Sequence, residues 1–116
     1  MSHNQFKIFK GQLGDLSAIK KKIESFVSKN KVSARSIGIE FIEHTKEVFI
    51  SFGYSKEGKF AAVSIDIVNL GKVDLGNTKA IEKQMSAEAK KLKKVICHEL
   101  LITDQNELMM LFMTTK

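Results

Sequence analysis

The sequence predicts an α+β fold: a two-layer sandwich in which two helices cover one face of a mainly antiparallel sheet of about six strands. Three observations lead to this class. Apolar residues recur at helical spacing in two segments, residues 15–30 and 77–94. In several other segments they alternate with polar residues, as in half-buried strands. The links between these alternating segments are short, which favours an antiparallel meander. The predicted element order is β-α-β-β-β-α-β-β.

Both predicted helices carry an apolar stripe, so each is expected to bury one face. Asp15 is the expected N-cap of the first helix, because its carboxylate can accept the unpaired amide hydrogens of the first turn. Asn77 or Thr78 is expected to cap the second helix. The two stripes consist of Leu16, Ile19, Ile23, Phe26 and Val27 in the first helix, and of Ile81, Met85, Ala89 and Leu92 in the second.

The predicted strands lie at residues 5–10, 37–41, 48–54, 61–67, 95–103 and 107–114. Turn-forming residues separate them, among them Gly58, which can adopt a positive φ, and the run 104–106. The last strand is apolar on both faces from Leu108 to Met113. We therefore expect this strand to lie in the middle of a sheet or beneath a second layer.

Composition is typical of one soluble domain spanning residues 1–116, with 43% hydrophobic and 28% charged residues. The single cysteine, Cys97, has no internal disulfide partner, which favours the reducing cytoplasm. The N-terminus lacks the apolar stretch of a signal peptide, and the longest apolar run is too short to span a bilayer. We expect a cytoplasmic protein without a membrane partner.

Positive charge is concentrated in the two predicted helices. Segments 15–35 and 77–94 each carry a net charge of +4, whereas the whole chain carries +6, so the remainder is mildly acidic. Helices on one face of the sheet would form a single basic layer that attracts an acidic protein or a nucleic acid. The alternative is that lysine only solvates the outer helix faces. The candidate binding residues are Lys20, Lys21, Lys22, Lys29, Lys79, Lys83, Lys90, Lys91 and Lys94.

Arg35 is the only arginine beside eighteen lysines. Arginine is the preferred side chain for bidentate contacts with phosphates and bases, so its scarcity argues against sequence-specific reading of nucleic acid. We expect a small non-enzymatic protein that binds another macromolecule through its basic helical face. The alternatives are a weakly specific nucleic-acid-binding protein and a small enzyme that uses an acidic sheet face.

The sequence predicts no catalytic residue, no metal site and no cofactor. Cys97, His98 and Glu99 are adjacent, but neighbouring side chains of a strand point to opposite faces, so Cys97 and His98 cannot form a catalytic pair. The other histidines, His3 and His44, are too scattered for a zinc site. The glycines match no phosphate-binding loop.

Two further hypotheses concern the sheet face away from the helices. One places acidic and small residues there together, as a face that could bind a cation or act as acid and base. Its members are Glu40, Ser51, Ser64 and Asp66, with Gly38, Gly53 and Ala62 between them.

The other hypothesis is a homodimer, through the sheet face or an edge strand, that covers apolar residues on that side. These are Ile42, Phe49, Phe60, Val68 and one face of the last strand.

Overall fold

A computed structural model describes residues 4–116 of the chain. Six strands and two helices follow in the predicted order, which confirms the α+β class. The strands are β1 (Asn4–Gln12), β2 (Ser33–Ile42), β3 (Glu47–Ser55), β4 (Val63–Lys72), β5 (Val95–Ile102) and β6 (Glu107–Thr115). The helices are α1 (Leu16–Asn30) and α2 (Thr78–Ala89), and a short 3-10 helix (Leu13–Asp15) precedes α1.

The helix boundaries follow local chemistry. Asp15 occupies the N-cap of α1 as predicted, although its carboxylate accepts a bond from the Ser17 hydroxyl rather than from a backbone amide of the first turn. Lys31 ends this helix in the left-handed conformation, with φ of 52°. Asn77 caps α2, where its side-chain oxygen accepts a hydrogen bond from the Ala80 amide at 3.2 Å.

The strands form two sheets rather than one. The first sheet has the order β1-β3-β2 and the second has the order β4-β6-β5, and every strand pair is antiparallel. Each sheet comes from one β-α-β-β half of the chain, with the same strand order in both halves. Residues 56–62 lead from one sheet to the other, so the predicted meander from β2 through β4 is interrupted after β3.

The two sheets meet along β2 and β5, while α1 contacts both β1 and β4 on the other side of the molecule. The main core lies between the sheets and α1. It contains the buried α1 residues, apolar residues from both sheets and the aromatic group of Phe9, Phe52 and Tyr54. Helix α1 is therefore the element that joins the two halves opposite the seam between β2 and β5.

The two helices pack against opposite faces of the second sheet. In β6, Leu111 and Met113 belong to the main core with α1, whereas Met110 and Phe112 pack with α2 residues in a smaller cluster. The α+β class is as predicted, but the expectation that both helices cover the same face of the sheet is wrong. A two-faced apolar strand needs cover on both sides, and β6 receives it from different halves of the chain. Its predicted position in the middle of a sheet is confirmed.

In the described range, residues 4–116, neither helix has the length and apolar character needed to cross a membrane.

Candidate functional site

An open groove of about 580 Å³ runs between β1 and α1. It is called the basic groove below. The strand contributes Lys7, Ile8, Phe9 and Lys10, and the helix contributes Lys21, Lys22, Ser25, Phe26, Lys29 and Asn30. Five lysines from two different elements thus converge on one surface.

The amphipathic pattern of α1 positions the helical lysines. Ile19, Ile23 and Val27 are buried at helical spacing, so Lys21 and Lys22 lie on other sides of the helix and remain exposed. The helix packs closely against β1 at Gly11, where an added Cβ would lie 2.8 Å from Ile19 Cδ1. The absence of a side chain at this position thus sets how closely the helix packs beside the strand.

The electrostatics of the basic groove are one-sided. Among the described residues, no carboxylate lines it. The Lys10 ammonium lies 3.3 Å from the Glu47 carboxylate, but the Lys10 side chain is 54% exposed, so the pair is well hydrated. The Lys7 ammonium lies 5.9 Å from the centroid of the Phe26 ring, within the range of a cation–π contact. An anion in the groove would therefore meet ammonium groups with little competing negative charge.

The predicted lysines of α1 divide into two groups. Lys21, Lys22 and Lys29 line the basic groove. Lys20 instead donates a 2.7 Å hydrogen bond to the Ile65 carbonyl and lies 3.3 Å from the Glu24 carboxylate. Lys20 thus has a structural role at the second sheet.

The α2 lysines lie apart from the groove. Lys79, Lys83, Lys90, Lys91 and Lys94 are all exposed, but α2 covers the opposite face of the second sheet from α1. The Lys91 ammonium pairs with the Glu88 carboxylate at 3.2 Å. The predicted single basic layer is therefore wrong, because the helices do not share a face.

Two lysines of the groove were not predicted. Lys7 and Lys10 belong to β1, for which the sequence predicts only a short strand. Their spacing is unremarkable in a strand, and only the packing of α1 beside β1 brings them to the helical lysines. The available signal was the run Gln5–Lys10, in which two lysines are interspersed with three large apolar residues.

The segment Cys97–Glu99 is arranged as predicted. Cys97 and Glu99 occupy one face of β5, and the His98 ring lies on the other side, 6.3 Å from the Phe112 ring. Burial raises the pKa of the Cys97 thiol, with a smaller contribution from the negative charge of Glu99, while a backbone hydrogen bond from Ile37 acts in the opposite direction. The thiol is therefore poorly suited to act as a nucleophile at neutral pH.

The predicted acidic face is divided between the two sheets. Glu40 and Ser51 lie on the first sheet, whereas Ser64 and Asp66 lie on β4 of the second sheet. The Asp66 carboxylate lies 3.5 Å from the hydroxyl of Thr114, on the neighbouring strand β6 of the same sheet. The hypothesis of one shared acidic face is therefore wrong. No group of three or more His, Cys, Asp or Glu residues that could hold a metal occurs within residues 4–116, and His3 lies outside them.

The side of the first sheet that points away from the core is called the outer face. It carries Phe6, Ile8 and Lys10 of β1, Phe49 and Ser51 of β3, and Gly38 and Glu40 of β2. Phe6 is 68% exposed, Ile8 is 55% exposed and Phe49 is 37% exposed. Apolar exposure was predicted at Phe49, but Phe6 and Ile8 were missed.

The other apolar residues expected beside Phe49 lie elsewhere. Val68 packs in the α2 cluster, and Phe60 lies in the 56–62 linker, where the Lys31 ammonium is 4.7 Å from its ring centroid. Ile42, at the end of β2, is half-buried. The exposed apolar surface of the first sheet is consequently concentrated on β1 and β3.

No protein-family model, no curated protein and no solved structure matches this chain.

Proposed function

We propose that this protein acts by binding a polyanionic macromolecule in the basic groove, without catalysing a reaction. The observation that carries the proposal is the convergence of five lysines, from β1 and α1, on a groove that no described carboxylate lines. Lysines that only solvate a helix would be spread over its outer face. Here Lys7 and Lys10 extend the basic surface onto a neighbouring strand.

Binding in this groove would be driven by charge and by release of counterions from the polyanion. The lysine ammonium groups are exposed, so the protein needs no large desolvation to present them. The weak, hydrated pair between Lys10 and Glu47 is the kind of contact that an incoming phosphate or carboxylate can displace.

Two observations favour binding over enzymatic chemistry. Burial raises the pKa of the Cys97 thiol, which disfavours the reactive thiolate. Glu40 lies on β2 at the seam and Asp66 lies on β4, with β5 and β6 between them, so these carboxylates lack the proximity that paired acid–base catalysis requires. A lone, partly buried thiol also suits the reducing cytoplasm, which is where we place the protein.

The test is a fluorescence-anisotropy titration of the full chain against labelled heparin and a labelled oligothymidylate. If five lysines neutralise five phosphates, affinity for the oligonucleotide falls about 100-fold between about 50 and about 200 mM salt. Failure of both probes to bind at low salt contradicts the proposal. Binding that is insensitive to salt contradicts it as well.

A further inference from the structure

The basic groove and the outer face of the first sheet share the same strand. Ile8 and Lys10 of β1 line the groove, and both also belong to the outer face. The Lys10 ammonium lies 5.8 Å from the centroid of the Phe49 ring on that face. A ligand that lies along β1 can therefore contact the lysines on one side and the exposed apolar residues on the other.

Phe6 is the most exposed large apolar residue of the outer face, at 68%. Phe6 stands opposite Gly53 in the strand register, and a Cβ added to Gly53 would lie 3.3 Å from Phe6 Cε1. The ring therefore rests against the bare backbone of β3, with most of its surface in water. Phe6 and Gly53 line a second depression of about 390 Å³ together with Arg35, the only arginine in the sequence.

We propose that the polyanion is a single-stranded nucleic acid, with phosphates in the basic groove and bases against Phe6 and Phe49 on the outer face. This inference rests on the proposed function and adds the class of partner. A polyanion without aromatic rings, such as heparin or an acidic peptide of Asp and Glu, binds to the lysines and leaves Phe6 in water. A second copy of the chain on the outer face covers Phe6 and leaves the groove lysines without counter-charge.

Single strands fit better than duplexes for a physical reason. The faces of duplex bases are stacked on each other, whereas unstacked bases can lie on aromatic side chains. The nine residues of β1 span about 30 Å, which accommodates the four or more nucleotides typical of single-strand sites. Stacking and lysine contacts do not read base edges, so we expect little dependence on sequence.

The discriminating experiment compares two probes and two phenylalanine variants of the full chain. Labelled oligothymidylate and labelled heparin are titrated against the wild type, Phe6→Ala and Phe60→Ala. Phe60 is the matched control, because it is another exposed phenylalanine but lies in the 56–62 linker. Circular dichroism melting checks that all three proteins are folded, and sedimentation reports their oligomeric state.

We expect Phe6→Ala to weaken oligothymidylate binding about tenfold, in line with the loss of one base-stacking contact, and to leave heparin binding unchanged. Phe60→Ala should change neither. Equal loss for both probes in Phe6→Ala, or loss for neither, overturns the inference while the proposed function stands. A Phe6→Ala variant that dissociates a dimer without weakening oligothymidylate binding assigns the outer face to self-association and also overturns it. If the wild type binds neither probe at low salt, the proposed function itself fails.

Discussion

The ammonium of Lys20 donates a 2.7 Å hydrogen bond to the backbone carbonyl of Ile65, which joins α1 to the edge strand of the second sheet. One helical turn later, the Glu24 carboxylate accepts a 2.7 Å hydrogen bond from the Ile65 amide. Edge strands expose unpaired backbone groups, and here two helix side chains bind a donor and an acceptor of the same residue. These two hydrogen bonds, from Lys20 and to Glu24, are called the Ile65 clamp. The clamp joins the two halves of the protein opposite the seam of β2 and β5.

Removal of the Glu24 carboxylate should destabilise the fold. Glu24→Ala deletes a charge-assisted hydrogen bond to a partly buried amide, for which we expect a loss of about 2 kcal/mol in the free energy of unfolding. Urea denaturation measures it. The matched control is Glu88→Ala, which removes an exposed helix pair with Lys91 and should cost no more than about 0.5 kcal/mol. Equal effects of the two substitutions would argue against the clamp.

The close approach of α1 to β1 predicts different outcomes at two nearby glycines. Gly11→Ala would place a methyl group 2.8 Å from two atoms of the buried Ile19 side chain, so overpacking should cost about 1–3 kcal/mol. Gly14→Ala meets nothing within 4 Å and should be neutral or slightly stabilising. Thermal unfolding of both variants checks this. A harmless Gly11→Ala would mean that the helix is not held tightly against the strand.

The Cys97 thiol should react slowly with alkylating reagents in the folded protein. Burial raises the pKa of this thiol above its ordinary value of about 8.5, so the thiolate population at neutral pH is low. Because the thiol pKa is higher in the folded state than in the unfolded state, the protonated thiol favours folding. Its contribution to the free energy of unfolding is complete below the unfolded-state pKa and is lost as pH rises through the folded-state pKa. Iodoacetamide labelling followed by mass spectrometry measures the rate. The same chain in urea is the control, and equal rates in both states would refute the prediction.

Local patterns predicted the elements well because each depends on residues close in sequence. The stripe from Leu16 to Val27 specifies a helix, and the two-faced run Leu108–Met113 specifies a covered strand. Neither pattern says which sheet a strand joins. Residues 56–62 resemble an ordinary turn in sequence, yet they lead from one sheet to the other. The sheet that each flanking strand joins depends on pairing with strands outside the turn: β3 pairs with β1, and β4 pairs with β6.

The candidate site was predicted only in part for the same reason. Lys21, Lys22 and Lys29 were identified from the helix, but the groove also depends on β1. Phe6 and Phe9 lie three residues apart in one strand and so on opposite faces, and the sequence does not tell which of them faces the core. Burial of Phe9 against Phe26 settles that question and leaves Phe6 on the outer face.

The most direct test of the account compares two double variants that lose the same charge from different helices. Lys21→Gln with Lys22→Gln removes two lysines of the basic groove, and Lys79→Gln with Lys83→Gln removes two exposed lysines of α2. The measured quantity is the slope of log affinity for oligothymidylate against log salt concentration. We predict that the groove variant reduces the steepness of this slope by about 1.4, while the α2 variant leaves it unchanged. Equal reductions, or a larger one for α2, would contradict the assignment of binding to the groove between β1 and α1.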